Sequence, residues 1–503
     1  MISVTRVLQA ADDGPLELES IVKALSAQFA VSTGSKQLIR RRRLDTFDRR
    51  LRAAGLALEH QITASGERLV LARADEPTVV VPVKDLRWPA LADVLPAGPV
   101  RDTIAAVIEI RALMVASDER RSLRRLELLN DDGKTVARVE LDEPASAAAA
   151  PAQVTVLGLR GYDDQARRAD RLLAALGMRV AEQGVDHEPS SAPKTSELDR
   201  GVPATVIVSA ALSGFLLTMG ENLPGLLDDV DTEFLHDFRV AVRRTRATLK
   251  LGRPALPEVM RSRWEPAFKS LGDLTTPVRD LDVYELDLPT MSRWLKTAEP
   301  TDLDALARHL RKKRTVARRA LVTSLRSASF RALITAWGEE LAGLVDARQD
   351  VDRETLSAGE LTDQSISRAY RRVTRDGALI RADSPAGQLH ELRKRCKELR
   401  YALEVFAPLI DQTARKRAVA DLKGLQDVLG RFQDTEVQRR AMRGFAEEMM
   451  SEGTSAGAVL AMGELIGHLD VEQDRARREF DAAFARLQRP SSLQLMARIG
   501  GVR

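Results

Sequence analysis

Leu235-His236-Asp237-Phe238-Arg239-Val240-Ala241-Val242-Arg243-Arg244-Thr245-Arg246 recurs 154 positions later, without a gap, as Leu389-His390-Glu391-Leu392-Arg393-Lys394-Arg395-Cys396-Lys397-Glu398-Leu399-Arg400. The register persists beyond that core: Lys269 matches Lys423, Leu271 matches Leu425, Asp273 matches Asp427, Asp280 matches Asp434 and Val283 matches Val437. One duplicated helical unit therefore builds the second half of the chain. At about 100° per residue, His236, Arg239, Arg243, Arg246 and Lys250 fall within one helical arc of roughly 80°. Leu235, Phe238, Val242 and Leu249 form a separate apolar face, which a bundle buries while the cations look sideways into a groove. In the second copy His390, Arg393, Lys397 and Arg400 repeat the stripe over a face of Leu389, Leu392, Cys396, Leu399 and Leu403, and Glu404 replaces Lys250.

Like charges at three- and four-residue spacing repel, each pair costing a few tenths of a kcal/mol on an exposed helix. No carboxylate enters either stripe before Glu404, which points to an external anion. The arginine fork suits phosphate oxygens, and lysine adds a point charge on a flexible stem. Two facing ladders fit a polyanion with closely spaced phosphates. The alternative is internal pairing with acids on other helices, for which Asp280, Asp282, Asp434 and Glu436 are candidates. A histidine among cations is expected to be mostly uncharged near neutral pH, donating a hydrogen bond and not a full charge.

With 503 residues the chain is too long for one core. Its sole cysteine, Cys396, excludes a disulfide framework and fits a reducing compartment. No run approaches about 18 apolar residues, and Met1 to Arg6 lack a signal-peptide pattern, so a cytoplasmic protein without a membrane span is expected. Lys and Arg number 48 against 43 acids over residues 201–503, and 29 against 30 over residues 1–200. Both halves are balanced, so an anion site must come from local arrangement and not from a global field.

Residues 1–182 mix patterns. Strand-like runs at 68–72, 78–83, 136–141 and 154–159 alternate with helical runs near 17–29 and 164–176, and Asn130-Asp131-Asp132-Gly133 signals a hairpin. An α+β sheet domain is expected here. Residues 183–199 read as a linker. Beyond it, apolar residues recur at helical spacing through residues 200–490 in two copies, about 200–345 and 355–490, ahead of a tail at 491–503. The basic run Arg311-Lys312-Lys313-Arg314 with Arg318 and Arg319 reads first as a solvated helix face, with polyanion contact as the alternative. Only 4% of residues are aromatic and no aromatic-interleaved basic motif occurs, so nucleic-acid base readout is disfavoured.

The paired Leu-His-x-x-Arg-x-x-x-(Arg/Lys)-x-x-Arg motifs, Arg279-Asp280-Leu281-Asp282-Val283, Arg400-Tyr401-Ala402-Leu403-Glu404 and Leu425-Gln426-x-x-Leu429-Gly430-x-x-x-Asp434 resemble a CHAD domain. The resemblance implies an all-α fold of two pseudo-symmetric four-helix bundles with a basic central cavity for inorganic polyphosphate, in a protein associated with polyphosphate granules. Carried to matching positions, it implies His236, Arg239, Arg243, Arg246, Lys250, Lys269, His390, Arg393, Lys397, Arg400 and Lys423 as binding residues, with Tyr401 in addition.

The first half is similar to the CYTH family, an antiparallel triphosphate-binding barrel, through residues 44–58, the hairpin region 126–142 and Gly161-Tyr162. It departs from the family's Glu-x-Glu-x-Lys strand. Ile2-Ser3-Val4-Thr5-Arg6-Val7-Leu8 has no carboxylate, and Glu17 and Glu19 precede a helix, where acids favour the dipole. A two-metal site needs convergent carboxylates. The expectation is therefore a degenerate CYTH-like domain with no catalytic residue, metal ligand or cofactor, in which Arg111, Arg120, Arg121, Arg124 and Arg125 either bind phosphate or form a solvated face. A metal-dependent triphosphatase and a non-catalytic interaction module stay open as alternatives.

Overall fold

A computed structural model describes residues 2–9, 17–73, 78–145, 152–159, 161–180, 199–346 and 356–500. The chain divides into two compact units, Met1–Ser191 and Ala192–Arg503. Of the expected linker only Asp199 lies within the described residues.

The first unit is α+β. Its elements are β1 (Ile2–Gln9), α1 (Leu18–Ser26), β2 (Ala30–Thr33), β3 (Gln37–Asp45), α2 (Arg50–Ala53), β4 (Leu56–Thr63), β5 (Gly66–Arg73), β6 (Val79–Val83), α3 (Pro99–Ile108), β7 (Met114–Leu129), β8 (Thr135–Pro144), β9 (Gln153–Leu159), α4 (Asp163–Ala175) and β10 (Arg179–Val180). All ladders are antiparallel, in the order β10-β1-β9-β8-β7-β3-β4-β5-β6, with β2 also on β7. The β7–β8 hairpin closes as its sequence requires. The Asn130 side chain accepts from the amides of Asp132 and Lys134, and Gly133 takes φ +72°, a region costly for side chains with a Cβ. Alternate residues Val154 and Val156 of β9 and Val139 and Leu141 of β8 turn inward and pack with Ile21 and Leu25 of α1 and Ala169 and Leu173 of α4. A second core joins Leu44, Leu58 and Leu69 to Ile104 and Ile108 of α3.

Among the described residues of the second unit the elements are helices: α5 (Ala204–Asp228), α6 (Thr232–Leu251), α7 (Glu258–Met291), α8 (Asp304–Leu325), α9 (Ala328–Asp346), α10 (Ala358–Ala378), α11 (Ala386–Val405), α12 (Gln412–Ser451), α13 (Ala456–Leu487) and α14 (Pro490–Ile499). The starts of α5 and α10, of α6 and α11, and of α7 and α12 are each separated by the 154 residues of the sequence repeat. The duplication is also reciprocal in space. Ala204 donates its amide to the Leu356 carbonyl (2.9 Å) and its counterpart Ala358 donates to Val202 (2.7 Å), around a bridge between the equivalent residues Pro203 and Ser357. Such an exchange between matching positions is the local signature of a two-fold.

The apolar faces behave as their spacing requires: Leu235, Phe238, Val242 and Leu249, and Leu389, Leu392, Cys396, Leu399 and Leu403, are all buried. The repeats are not sealed from each other. Leu281, Tyr284 and Met291 of α7 and Leu306 and Leu310 of α8 share one core with Met442, Phe445 and Met449 of α12 and Met462 and Leu465 of α13. Residues 490–499, read from the sequence mostly as tail, form α14, because Leu495, Met496 and Ile499 find apolar cover and the Ser492 hydroxyl donates to Asp421 of α12. By length and composition α5 is apolar enough to cross a membrane. Here it is a bundle helix that buries Ile207, Val208, Leu212, Met219 and Leu226 and packs against α6, α9 and α10.

Candidate polyanion-binding site

The two motif helices α6 and α11 meet each other. Arg244 on α6 donates across the seam to Glu404 on α11 at 3.0 Å. Lys397 is half-buried, and this desolvation, with the Arg393 and Arg243 guanidinium groups beside it and Asp434 opposing, pushes its ammonium down to about 8. Arg243 is the repeat equivalent of Lys397 and comes from the other helix. The sequence-predicted stripes therefore converge.

In the first repeat Arg239 of the stripe faces neutral acceptors. Arg239 Nη1 donates to the Thr275 and Thr276 hydroxyls (2.8 and 2.9 Å) and to the Gly272 carbonyl (3.3 Å) on α7. Burial lowers its pKa, which Asp280 opposes. Gly272 leaves space for Arg246, whose Nη1 would lie 3.3 Å from a Cβ added there. His236 is shifted down by burial and then by the Arg279 charge, which keeps the imidazole neutral near pH 7, as its setting among cations predicts. Arg243, Arg246, Lys250 and Lys269 make no ion pair among the described residues, and Arg243, Lys250 and Lys269 are exposed.

The second repeat is different. Arg393 donates to both Asp434 oxygens, at 2.9 and 3.4 Å, and Arg400 donates to Glu404 at 2.8 Å and to Gln426 at 3.4 Å. His390 Nδ1 lies 2.9 Å from Gln433 Oε1; that oxygen only accepts, so Nδ1 carries the proton. Tyr401 is half-buried on α11, and Lys423 is exposed on α12 with no ion pair among the described residues. Of the four acids considered as internal partners, Asp434 bonds a stripe arginine and Asp280 lies in the field of Arg239. Asp282 instead binds Arg314, and Glu436 binds Arg439 and Arg440.

Arg244, Arg279, Thr275, Thr276, Gln426 and Gln433 were not among the sequence-predicted site residues. Arg279 and Gln426 lie inside motif elements already quoted, and that position was the available signal. The basic run on α8 is largely neutralised by distant acids: Lys312 pairs with Glu452, Lys313 with Glu448, Arg314 with Asp282 and Asp229, and Arg318 with Asp229.

In the first unit, one face of the sheet carries a buried charge network. Arg41 of β3 pairs with Glu59 (3.2 Å) and Asp142 (2.6 Å), and Arg121 of β7 pairs with Asp142 (2.6 Å) and Glu119 (3.0 Å). Arg125 pairs with Glu140, and buried Arg111 lies 3.6 Å from Asp48. Arg120 is exposed and Arg124 half-buried. Glu17 and Glu19 do sit at the start of α1, and neither β1 nor β9 contains a carboxylate.

The family model of the CHAD domain matches residues 210–443, which run from α5 into α12. Among solved structures, the CHAD domain of the plant Ricinus communis is 24% identical, with 58% of this chain and 93% of that one covered and a TM-score of 0.48. PptA from Streptomyces chartreusis is 19% identical over 56% of this chain and 99% of its own, with a TM-score of 0.44. HpAC1 from Hippeastrum, described as having a dominant triphosphatase activity, is 11% identical over 37% and 92%, with a TM-score of 0.25. No curated protein matches the chain.

Proposed function

We propose that the helical unit binds inorganic polyphosphate along the paired cationic faces of α6 and α11, in a cytoplasmic protein held on polyphosphate granules. The observation that carries this reading is the meeting of Lys397 and Arg393 of α11 with Arg243 of α6, where the half-buried Lys397 ammonium is pushed down to about 8 by desolvation and the two guanidinium groups, with Asp434 opposing. A protein gains nothing in stability from burying a cation beside two others, and a bound polyanion removes the penalty. A phosphate chain meets arginine forks and lysine ammonium groups at successive units, and its binding releases counterions, so affinity falls steeply with salt.

Calorimetric titration with long-chain polyphosphate at two salt concentrations, with double-stranded DNA as competitor, tests the reading. Salt-sensitive binding that DNA does not match is expected. Equal competition by DNA removes the specificity claim, and absence of binding returns the cations to a structural role.

A second reading is metal-dependent triphosphate cleavage in the first unit. Glu59, Glu119 and Asp142 do gather on one sheet face, on strands other than β1. In the structure Arg41 and Arg121 hold these acids, which favours a non-catalytic domain. Turnover of triphosphate with Mg or Mn, lost on substituting Glu59 and Asp142, would establish the enzyme instead.

A further inference from the structure

Both carboxylate oxygens of Glu404 are occupied. Oε1 accepts from Arg400 Nε at 2.8 Å on its own helix, and Oε2 accepts from Arg244 Nη2 at 3.0 Å across the α6–α11 seam. The carboxylate is half-buried, with 21% of its side chain exposed. Among the described residues nothing in the first repeat matches this contact. The counterpart of Glu404 is Lys250, and the counterpart of Arg244 is Glu398, which pairs with Arg395 and Arg372. One acid that the first copy lacks thus holds a guanidinium from each repeat. An arginine fork engaged by a carboxylate presents to it the same donors that a phosphate would take.

Building on the polyphosphate reading above, we propose that Glu404 is a specificity-determining residue: an internal carboxylate competitor that withholds Arg244 and Arg400 from the phosphate chain. The ligand then engages the first repeat's cations and Lys397 first, and reaches Arg244 and Arg400 only by displacing the acid. The carboxylate sets how many cations the seam offers, and with that the salt dependence of binding.

Glu404→Gln keeps the shape and removes the charge. Two more cations then engage phosphate, so the slope of log affinity against log salt steepens by roughly 1 to 1.5, at about 0.7 per added contact, and affinity at low salt rises about tenfold. Glu391→Gln serves as the control for net charge, because Glu391 is exposed and pairs only with Lys394 of the same helix among the described residues; it should leave the slope at the wild-type value. Because Glu404 also ties the repeats together, denaturant unfolding of each variant is measured beside its titration, and a second variant removes the arginine side of the same contact. Arg244→Gln in an otherwise unchanged chain should keep polyphosphate affinity within about twofold, since that arginine is already withheld. A wild-type slope in Glu404→Gln, or a tenfold loss in Arg244→Gln, overturns the proposal while leaving polyphosphate binding intact. Failure of the wild type and of Glu404→Gln alike to bind polyphosphate overturns the underlying reading and this inference with it.

Discussion

The two repeats hold equivalent arginines in opposite ways, and the cause is local. Arg239 rests on the Thr275 and Thr276 hydroxyls; the matching positions in the second repeat are Leu429 and Gly430, which offer no side-chain acceptor. Arg393 therefore turns to Asp434. Likewise His236 faces the Arg279 charge, whereas His390 bonds Gln433 at the matching position. The first wall holds Arg239 on neutral acceptors, and the second holds Arg393 and Arg400 in ion pairs, while Lys397 and Lys423 make no ion pair among the described residues. Duplicated sequence thus preserved the helices and their polar stripes while the partners of those stripes diverged.

The sharpest way to break this comparison is to remove the equivalent arginines one at a time. Arg239→Ala should weaken polyphosphate binding by roughly ten- to a hundredfold, the range for a charge-assisted hydrogen bond. Arg393→Ala should weaken it by less than about fivefold, because Asp434 already occupies that group. Equal losses in the two titrations would show that the walls contribute alike.

Lys397 gives a smaller effect with a defined sign. Its free-state pKa of about 8 must rise when an anion binds, so binding takes up a proton above that value. Affinity should be flat below about pH 7.5 and fall several-fold towards about pH 9, and Lys397→Arg, charged throughout, should remove the fall. Titrations in buffers of different ionisation enthalpy read the proton uptake directly. A wild-type profile that does not change with pH would place Lys397 away from the ligand.

The smallest effect concerns the buried faces. Val242 of the first repeat corresponds to Cys396, whose thiol burial pushes up to about 12. Cys396→Val should change stability by less than about 1 kcal/mol in denaturant unfolding, being close to volume-conserving. In the folded wild type the thiol should resist alkylation near neutral pH. A larger loss would mean that the two apolar faces pack differently despite their shared pattern.

Much of the fold was legible along the chain, for reasons of short range. Helical periodicity and the Asp-Gly hairpin act over a few residues, and the 154-residue register places matching helices without any knowledge of their packing. The stripe was legible because a helix puts residues three and four apart on one face. Its pairing was not. Arg393 and Asp434 are 41 residues apart, Arg244 and Glu404 are 160 apart, and the acids that neutralise Lys312 and Lys313 lie 140 and 135 residues away. The role of α14 was missed for a related reason: a short amphipathic segment becomes a stable helix only when neighbours cover its apolar side.

By itself the sequence determined that two copies of one helical unit exist, that each carries a cationic stripe beside an apolar face, and that a strand-rich domain precedes them. Periodicity and chain-local sterics settle those properties. Only the tertiary structure decided which cations meet neutral acceptors and which meet carboxylates, that Lys397 lies half-buried near Arg243, and that Glu404 bridges the repeats. Electrostatic partnership depends on distances between elements far apart along the chain, and desolvation depends on what the finished fold places around each charge.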